Sequence, residues 1–260
     1  MKKDYIVVID SGVGGLSTLA KCIRHTKVNY IYVADNKNHP YGTHSKQEIV
    51  SFLTEIITNL KKFCDFNVVI LACNTATTAA IEDLRKRFPD LIFIGTEPAI
   101  KLAYNFSYRN ILALTTPSTA CQKKFIDLKN SLPCNIKTLS ISCLAQNIEN
   151  HLLSRTYFSY VKLLKNIFQI AASSQGFDCI VLGCTHYVFL KEILNKYTNL
   201  PLIDGNTGVQ KQLAKIIKSS GIQADDNFRI KFMNTLMLNG TNQIYKKILS
   251  QILANSKDLC

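Results

Sequence analysis

Short, unbroken apolar runs recur along the chain at intervals too long for hairpins, and this pattern constrains the fold more than any other feature. The runs are YIVVI (5–9), YIYVA (30–34), VVILA (68–72), LIFIG (91–95), ILALT (111–115), CIVLG (179–183) and PLID (201–204). None shows the in–out alternation of a half-wet antiparallel sheet, so each predicts a strand covered on both faces. Most are separated by segments with helical periodicity. The segment 45–63 opens with a capping-box pair, Ser45 and Glu48, and carries Ile49, Phe52, Leu53, Ile56, Ile57 and Leu60 at helical spacing. Strands alternating with helices predict α/β architecture with parallel sheets, because parallel neighbours need crossover helices. With 260 residues, 47% of them hydrophobic, the chain can bury a sizeable core in one large domain or two small ones.

An internal repeat favours two. One strand in each half runs into a Ser/Thr-rich turn, IVVIDSGVGGL (6–16) and ILALTTPSTA (111–120). A later strand in each half ends in cysteine followed by polar residues, VVILACNTATTAAI (68–81) and CIVLGCTHYVFLKEI (179–193). The expectation is two pseudo-symmetric α/β domains, 1–97 with 210–260 and 98–209. Each would be a largely parallel sheet flanked by helices. Ligands of open α/β sheets lie beyond the carboxyl ends of the strands, so the active site is expected in a cleft that both domains share. The tail beyond residue 210 carries no motif, and helical segments such as NQIYKKILSQIL are expected to pack on the first domain.

The nine cysteines, at 22, 64, 73, 121, 134, 143, 179, 184 and 260, are odd in number and form no CxxC pair. That usage fits free thiols in a reducing compartment. The opening MKKDYIVVIDSG has an apolar run too short for a leader and broken by Asp10. No segment approaches the ~20 apolar residues of a membrane span. The expectation is a soluble, cytoplasmic protein.

Cys73 and Cys184 stand apart because each directly follows a strand and leads into a helical pattern. A thiol at a helix N-terminus meets partial positive charge, which lowers its pKa from ~8.5 into the range of about 3.5–7.5. One such thiol suggests a covalent nucleophile. Two, one in each related half, suggest a proton lost to one sulfur and regained on the opposite face from the other. Each sulfur would sit about 3–3.5 Å from the reacting carbon, so the pair would lie roughly 6–7 Å apart, too far for a disulfide of about 2.05 Å. Ser11, Asn74, Thr75 and Thr185 can hold carboxylate and ammonium groups, and Asp10 and His186 can tune or shuttle protons. For Asp10 the competing role is capping the following turn; for His186 it is opening a helix.

Other signatures fail. Gly12-Val13-Gly14-Gly15 is followed by Ser17 where a dinucleotide fingerprint needs glycine, and no Gly-Lys-Ser/Thr ending exists. Cys184 and His186 lack the further ligands of a metal site. No cofactor and no metal are implied. The net charge of +13 invites a nucleic-acid reading, but the lysines are scattered, with short clusters only at Arg85-Lys86-Arg87 and Lys246-Lys247. A solvated basic surface, which would also attract an acidic metabolite, accounts for them.

Five motifs together resemble the glutamate racemases of the cofactor-independent aspartate/glutamate racemase superfamily. They are Asp10-Ser11-Gly12-Val13-Gly14-Gly15-Leu16, Pro40-Tyr41-Gly42, Ala72-Cys73-Asn74-Thr75-Ala76, Glu97-Pro98-Ala99 and Leu182-Gly183-Cys184-Thr185-His186-Tyr187. The resemblance implies interconversion of L- and D-glutamate by two-base proton transfer, with D-glutamate supplied to peptidoglycan. It assigns the α-proton of D-glutamate to Cys73 and that of L-glutamate to Cys184, assisted by Asp10, His186 and Glu149. Asp10, Ser11, Tyr41, Gly42, Asn74, Thr75, Thr116, Thr119, Thr185 and His186 would bind substrate. It also implies a homodimer and no membrane partner. Two departures stand out: Ser118 replaces a glycine of the family's threonine-rich turn, and Val188 replaces a proline. The rival readings are a racemase of another acidic amino acid such as aspartate, or a basic nucleic-acid-associated, gyrase-modulating protein.

Overall fold

In the computed structural model the described residues are 5–222, 224–236 and 240–255. Cys260 and the first four residues of the opening segment therefore lie outside them. The chain forms two compact units, 1–96 with 206–260, and 97–205.

The first unit opens with β1 (Tyr5–Asp10), α1 (Leu16–His25) and β2 (Asn29–Ala34). It continues with α2 (Lys46–Leu60), β3 (Phe66–Leu71), α3 (Asn74–Arg87) and β4 (Ile92–Gly95). The second unit holds α4 (Ile100–Asn105), β5 (Asn110–Thr115), α5 (Pro117–Cys121), α6 (Lys123–Ser131) and β6 (Asn135–Ser140). After these come α7 (Leu144–Ser154), α8 (Tyr157–Ser173), β7 (Cys179–Gly183), α9 (Lys191–Leu194) and β8 (Leu202–Asp204). The chain then returns to the first unit as α10 (Asn206–Ser220), β9 (Ile230–Asn234) and α11 (Thr241–Asn255).

Both sheets are wholly parallel, with orders β4-β3-β1-β2-β9 and β6-β5-β7-β8. Read from its other edge, the second sheet runs β8-β7-β5-β6, the same order as β4-β3-β1-β2. The repeat seen in the sequence is thus a repeat of topology. β9 is the addition, a fifth strand on the edge of the first sheet.

Side chains alternate across a strand, so one apolar run feeds two cores. In the first unit Tyr5, Val7 and Ile9 pack with Ile49, Leu53, Ile57 and Leu60 of α2 and Ala76, Ala80, Ile81 and Leu84 of α3. Ile6 and Val8 are equally buried on the opposite face, where α10 and α11 pack against α1. In the second unit Leu112, Leu114, Ile180 and Leu182 meet α7 and α8, while Ile111, Ala113, Cys179 and Val181 meet α4 and α6. Each fully buried Ile or Leu contributes about 1.5–3 kcal/mol.

The capping box forms as the sequence indicates. The Ser45 hydroxyl accepts the Glu48 N–H at 3.3 Å, and the Glu48 carboxylate accepts the Ser45 N–H at 2.8 Å. Arg85, Lys86 and Arg87 occupy the last turn of α3, where they complement the helix dipole. Arg85 also pairs with Glu82. Among the described residues no helix is long and apolar enough to cross a membrane, and the eight described cysteines are all free thiols.

Candidate active site

In the first unit the chemistry-bearing residues gather past the carboxyl ends of β1, β2 and β3. Asp10 is the last residue of β1 and is fully buried. Its carboxylate accepts the Gly12 N–H at 2.9 Å, and the Tyr32 hydroxyl donates to the Gly12 carbonyl at 2.6 Å. The turn after β1 is therefore pinned from both sides, and Asp10 does cap it. Ser11 is buried in the same turn. Gly15 closes it, because a Cβ there would lie 2.7 Å from Asp10 Cβ and 2.9 Å from Ala72 Cβ.

Cys73 is the N-cap of α3, and its Sγ accepts the Ala76 N–H at 3.5 Å. Cysteine here stands where serine or aspartate usually caps, so the helix's free N–H groups address sulfur. Asn74 and Thr75 form the first turn behind it and are buried. Tyr41 sits in a 3-10 turn, Tyr41–Thr43, with its ring buried and its hydroxyl donating to Asp35 Oδ2 at 2.7 Å. Burial, then the charge of Asp35 and its hydrogen bond, and also the charges of Cys73 and Asp10, hold the phenol well above its ordinary pKa. Tyr41 is thus a neutral donor committed to Asp35. Gly42, next in the turn, is exposed.

In the second unit Cys184 follows β7, yet its surroundings differ from those of Cys73. The sequence pattern leads one to expect a helix N-terminus. The structure has instead a six-residue 3-10 turn, Thr185–Leu190, with no side-chain cap from Cys184. A 3-10 turn aligns fewer peptide dipoles, so the helix-terminus argument is weak here. Imidazole takes its place. His186 Nδ1 lies 3.9 Å from Cys184 Sγ, and its Nε2 lies 2.7 Å from Glu149 Oε2. Glu149, on α7, and His186 are 2% and 3% exposed, so the charges act in a low-dielectric setting. Burial alone would lower the pKa of His186. The hydrogen bonds to Cys184 and Glu149, with the charges of both, outweigh it and hold His186 well above its ordinary value. The Cys184 sulfur therefore faces a buried imidazole that its carboxylate partner keeps protonated.

Thr185 is buried beside Cys184. Thr116 caps α5, accepting the Thr119 N–H at 3.2 Å and donating to the Thr119 hydroxyl at 3.0 Å. Ser118, where glycine was expected, lies inside α5 with no positive φ, so the turn needs no glycine. Val188 is accommodated within the 3-10 turn, its carbonyl accepting the Lys191 N–H.

Every candidate of the first half, Asp10, Ser11, Tyr41, Gly42, Cys73, Asn74 and Thr75, falls in the first unit. Thr116, Thr119, Glu149, Cys184, Thr185 and His186 fall in the second. Asp35 belongs to none of the motifs singled out in the sequence, yet it is fully buried with three side chains, those of Asn38, Tyr41 and Thr235, donating to it. The available signal was an acidic residue directly after the apolar run YIYVA.

The profile of the Asp/Glu/Hydantoin racemase family matches residues 6–212. The chain is 36% identical over 219 residues to glutamate racemase of Clostridium botulinum (strain Alaska E43 / Type E3), covering 82% of this chain and 83% of that protein. It is 33% identical over 254 residues to glutamate racemase of Leptospira interrogans (serovar Lai), covering 96% of each. The crystal structure of Escherichia coli glutamate racemase in complex with L-glutamate and the activator UDP-MurNAc-ala is similar at a TM-score of 0.81. That similarity covers 96% of this chain and 95% of that one at 26% identity.

Proposed function

The chain belongs to the Asp/Glu/Hydantoin racemase family, and from that premise we propose that it interconverts L- and D-glutamate by moving the α-proton between two cysteine sulfurs. With D-glutamate bound, the Cys73 thiolate takes the α-proton; the C–H bond breaks, an S–H bond forms and a planar carbanion remains. The Cys184 thiol then gives its proton to the opposite face and becomes a thiolate. In the reverse direction the roles exchange, so no electrons are gained or lost and no cofactor is needed.

The observation that carries this reading is that each topologically equivalent strand, β3 and β7, delivers one buried thiol with its own polar partner at the sulfur. For Cys73 it is the Ala76 N–H at the start of α3. For Cys184 it is the buried His186–Glu149 pair. Asp10 assists on the first side. Ser11, Asn74 and Thr75 on one unit, and Thr116, Thr119 and Thr185 on the other, supply polar groups for the substrate's charged ends. His186, its two ring nitrogens engaged by Cys184 and Glu149, contributes positive charge. Donors aimed at the α-carboxylate spread the carbanion's charge. Tyr41 spends its hydroxyl on Asp35, so the turn it shares with Gly42 offers backbone N–H groups to substrate. The enzyme would supply D-glutamate for peptidoglycan. It would act as a homodimer, and the exposed Tyr157, Phe158 and Phe168 of α8 support self-association by supplying apolar surface.

The deciding experiment is solvent exchange. In D₂O, purified protein is expected to place deuterium at Cα of glutamate starting from either enantiomer, read by ¹H NMR and chiral chromatography. Aspartate serves as the comparison substrate. Glutamate that keeps its α-hydrogen refutes the reading, and faster exchange of aspartate transfers it to that amino acid.

A further inference from the structure

Asp35 lies just past β2, fully buried, and is the acceptor for three side chains from different parts of the first unit. The Tyr41 hydroxyl donates to Oδ2 at 2.7 Å. Asn38 Nδ2 donates to both oxygens, at 2.9 and 3.2 Å. The Thr235 hydroxyl donates to Oδ1 at 2.6 Å. The backbone joins in: the Asp35 N–H donates to the Asp10 carbonyl at 2.9 Å, which sets the hub beside the turn that carries Asp10.

Thr235 is the distant partner. It follows β9, and its N–H donates to the Ala34 carbonyl at 3.1 Å while its hydroxyl oxygen accepts the Lys37 N–H at 3.0 Å. The Tyr245 hydroxyl of α11 donates to Asn36 Oδ1 on the same loop. The returning C-terminal segment therefore holds the loop 35–41 by side chains as well as by the β2–β9 ladder.

The acceptor chemistry is specific to a carboxylate. Three donor groups converge on two oxygens, and an amide would offer one oxygen and one opposing N–H₂. Asp35 is not placed to act as a base, because both oxygens are occupied and the Tyr41 phenol is one of the groups occupying them.

We propose that Asp35 is a positioning residue that sets the Tyr41–Gly42 turn for substrate, and that Thr235, delivered by β9, completes its hold. The proposal rests on the racemase reading for the identity of that substrate. It assigns β9, the one strand without a counterpart in the second sheet, a part in assembling the site.

The test uses Asp35→Asn and Thr235→Val in the full chain, with Thr235→Ser as the conservative control. Losing one hydrogen bond to a buried charge predicts KM for both enantiomers raised roughly tenfold, with kcat changed less than about threefold. The limbs of the pH–kcat profile stay where they are, Thr235→Ser restores the parental KM, and amide hydrogen exchange in residues 36–44 accelerates. Unchanged KM in both Asp35→Asn and Thr235→Val, a moved pH limb, or unchanged exchange in 36–44 overturns the proposal. Wild-type protein that leaves glutamate unexchanged refutes the racemase reading instead, and protection of residues 36–44 still decides whether Asp35 holds the turn.

Discussion

His186 Nε2 lies 2.7 Å from Glu149 Oε2, with both side chains almost fully buried. Two groups 37 positions apart thereby form one buried pair that ends at the Cys184 sulfur. Glu149→Gln keeps the shape and removes the charge that helps retain the imidazolium. Proton exchange that depends on Cys184 is expected to slow by about 10²-fold, at the lower end of what a general acid–base group contributes. Exchange starting from each enantiomer separately in D₂O measures it.

The same pair has a consequence for stability. Because the folded-state pKa of His186 is raised, its stabilising contribution is fully present below the unfolded value of about 6.5. It is lost as pH rises through the folded value. The stability gap between wild type and Glu149→Gln should therefore be widest below about pH 6.5 and narrow in alkaline solution. Urea midpoints across that range read it, and a gap that widens with pH would contradict the assigned charge state.

Cys73→Ala and Cys184→Ala should each lower racemisation by at least about 10²–10⁴-fold, since each removes one proton-transfer group. Each variant keeps the other thiol, so one-sided elimination from a β-substituted analogue should survive for one enantiomer. Chiral product analysis separates these outcomes, and parental racemisation in either variant would end the paired-thiol mechanism.

Gly15→Ala tests the turn after β1. The added Cβ would lie 2.7 Å from Asp10 Cβ and 2.9 Å from Ala72 Cβ, atoms that cannot swing aside without moving backbone. The expected cost is about 1–3 kcal/mol of stability, with a disproportionate loss of activity because Asp10 and the strand end before Cys73 are the atoms displaced. Denaturant melts and steady-state kinetics on the same preparation provide the comparison.

The thiols should sort by burial. Cys22 and Cys179 are fully buried, and burial pushes both pKa values up to about 12. In native protein near pH 8 they should resist iodoacetamide, whereas the exposed Cys121 and Cys143 react first. Peptide mapping in a Cys260→Ser background reads the order. Early modification of Cys22 would mean that the α1 face of the first sheet opens in solution.

Most of the architecture was legible because it rests on local rules. Central strands such as β1, β3, β5 and β7 are buried on both faces and read as continuous apolar runs. β6 and β9 escaped notice because an edge strand buries little: NIKTLS buries only Ile136, and IKFMN only Phe232. Ser45 and Glu48 announced a helix start because capping acts over three residues.

By itself the sequence determined the alternation of strand and helix, the repeat, and which two cysteines end strands, since periodicity and chain order are local properties. Only the tertiary structure decided that Cys184, unlike Cys73, is served by an imidazole–carboxylate pair in place of the helix terminus its sequence pattern led one to expect. It alone brought Thr235 to Asp35, 200 positions away. Hydrogen bonds between buried groups are set by where strands end in space, and sequence separation carries no record of that distance.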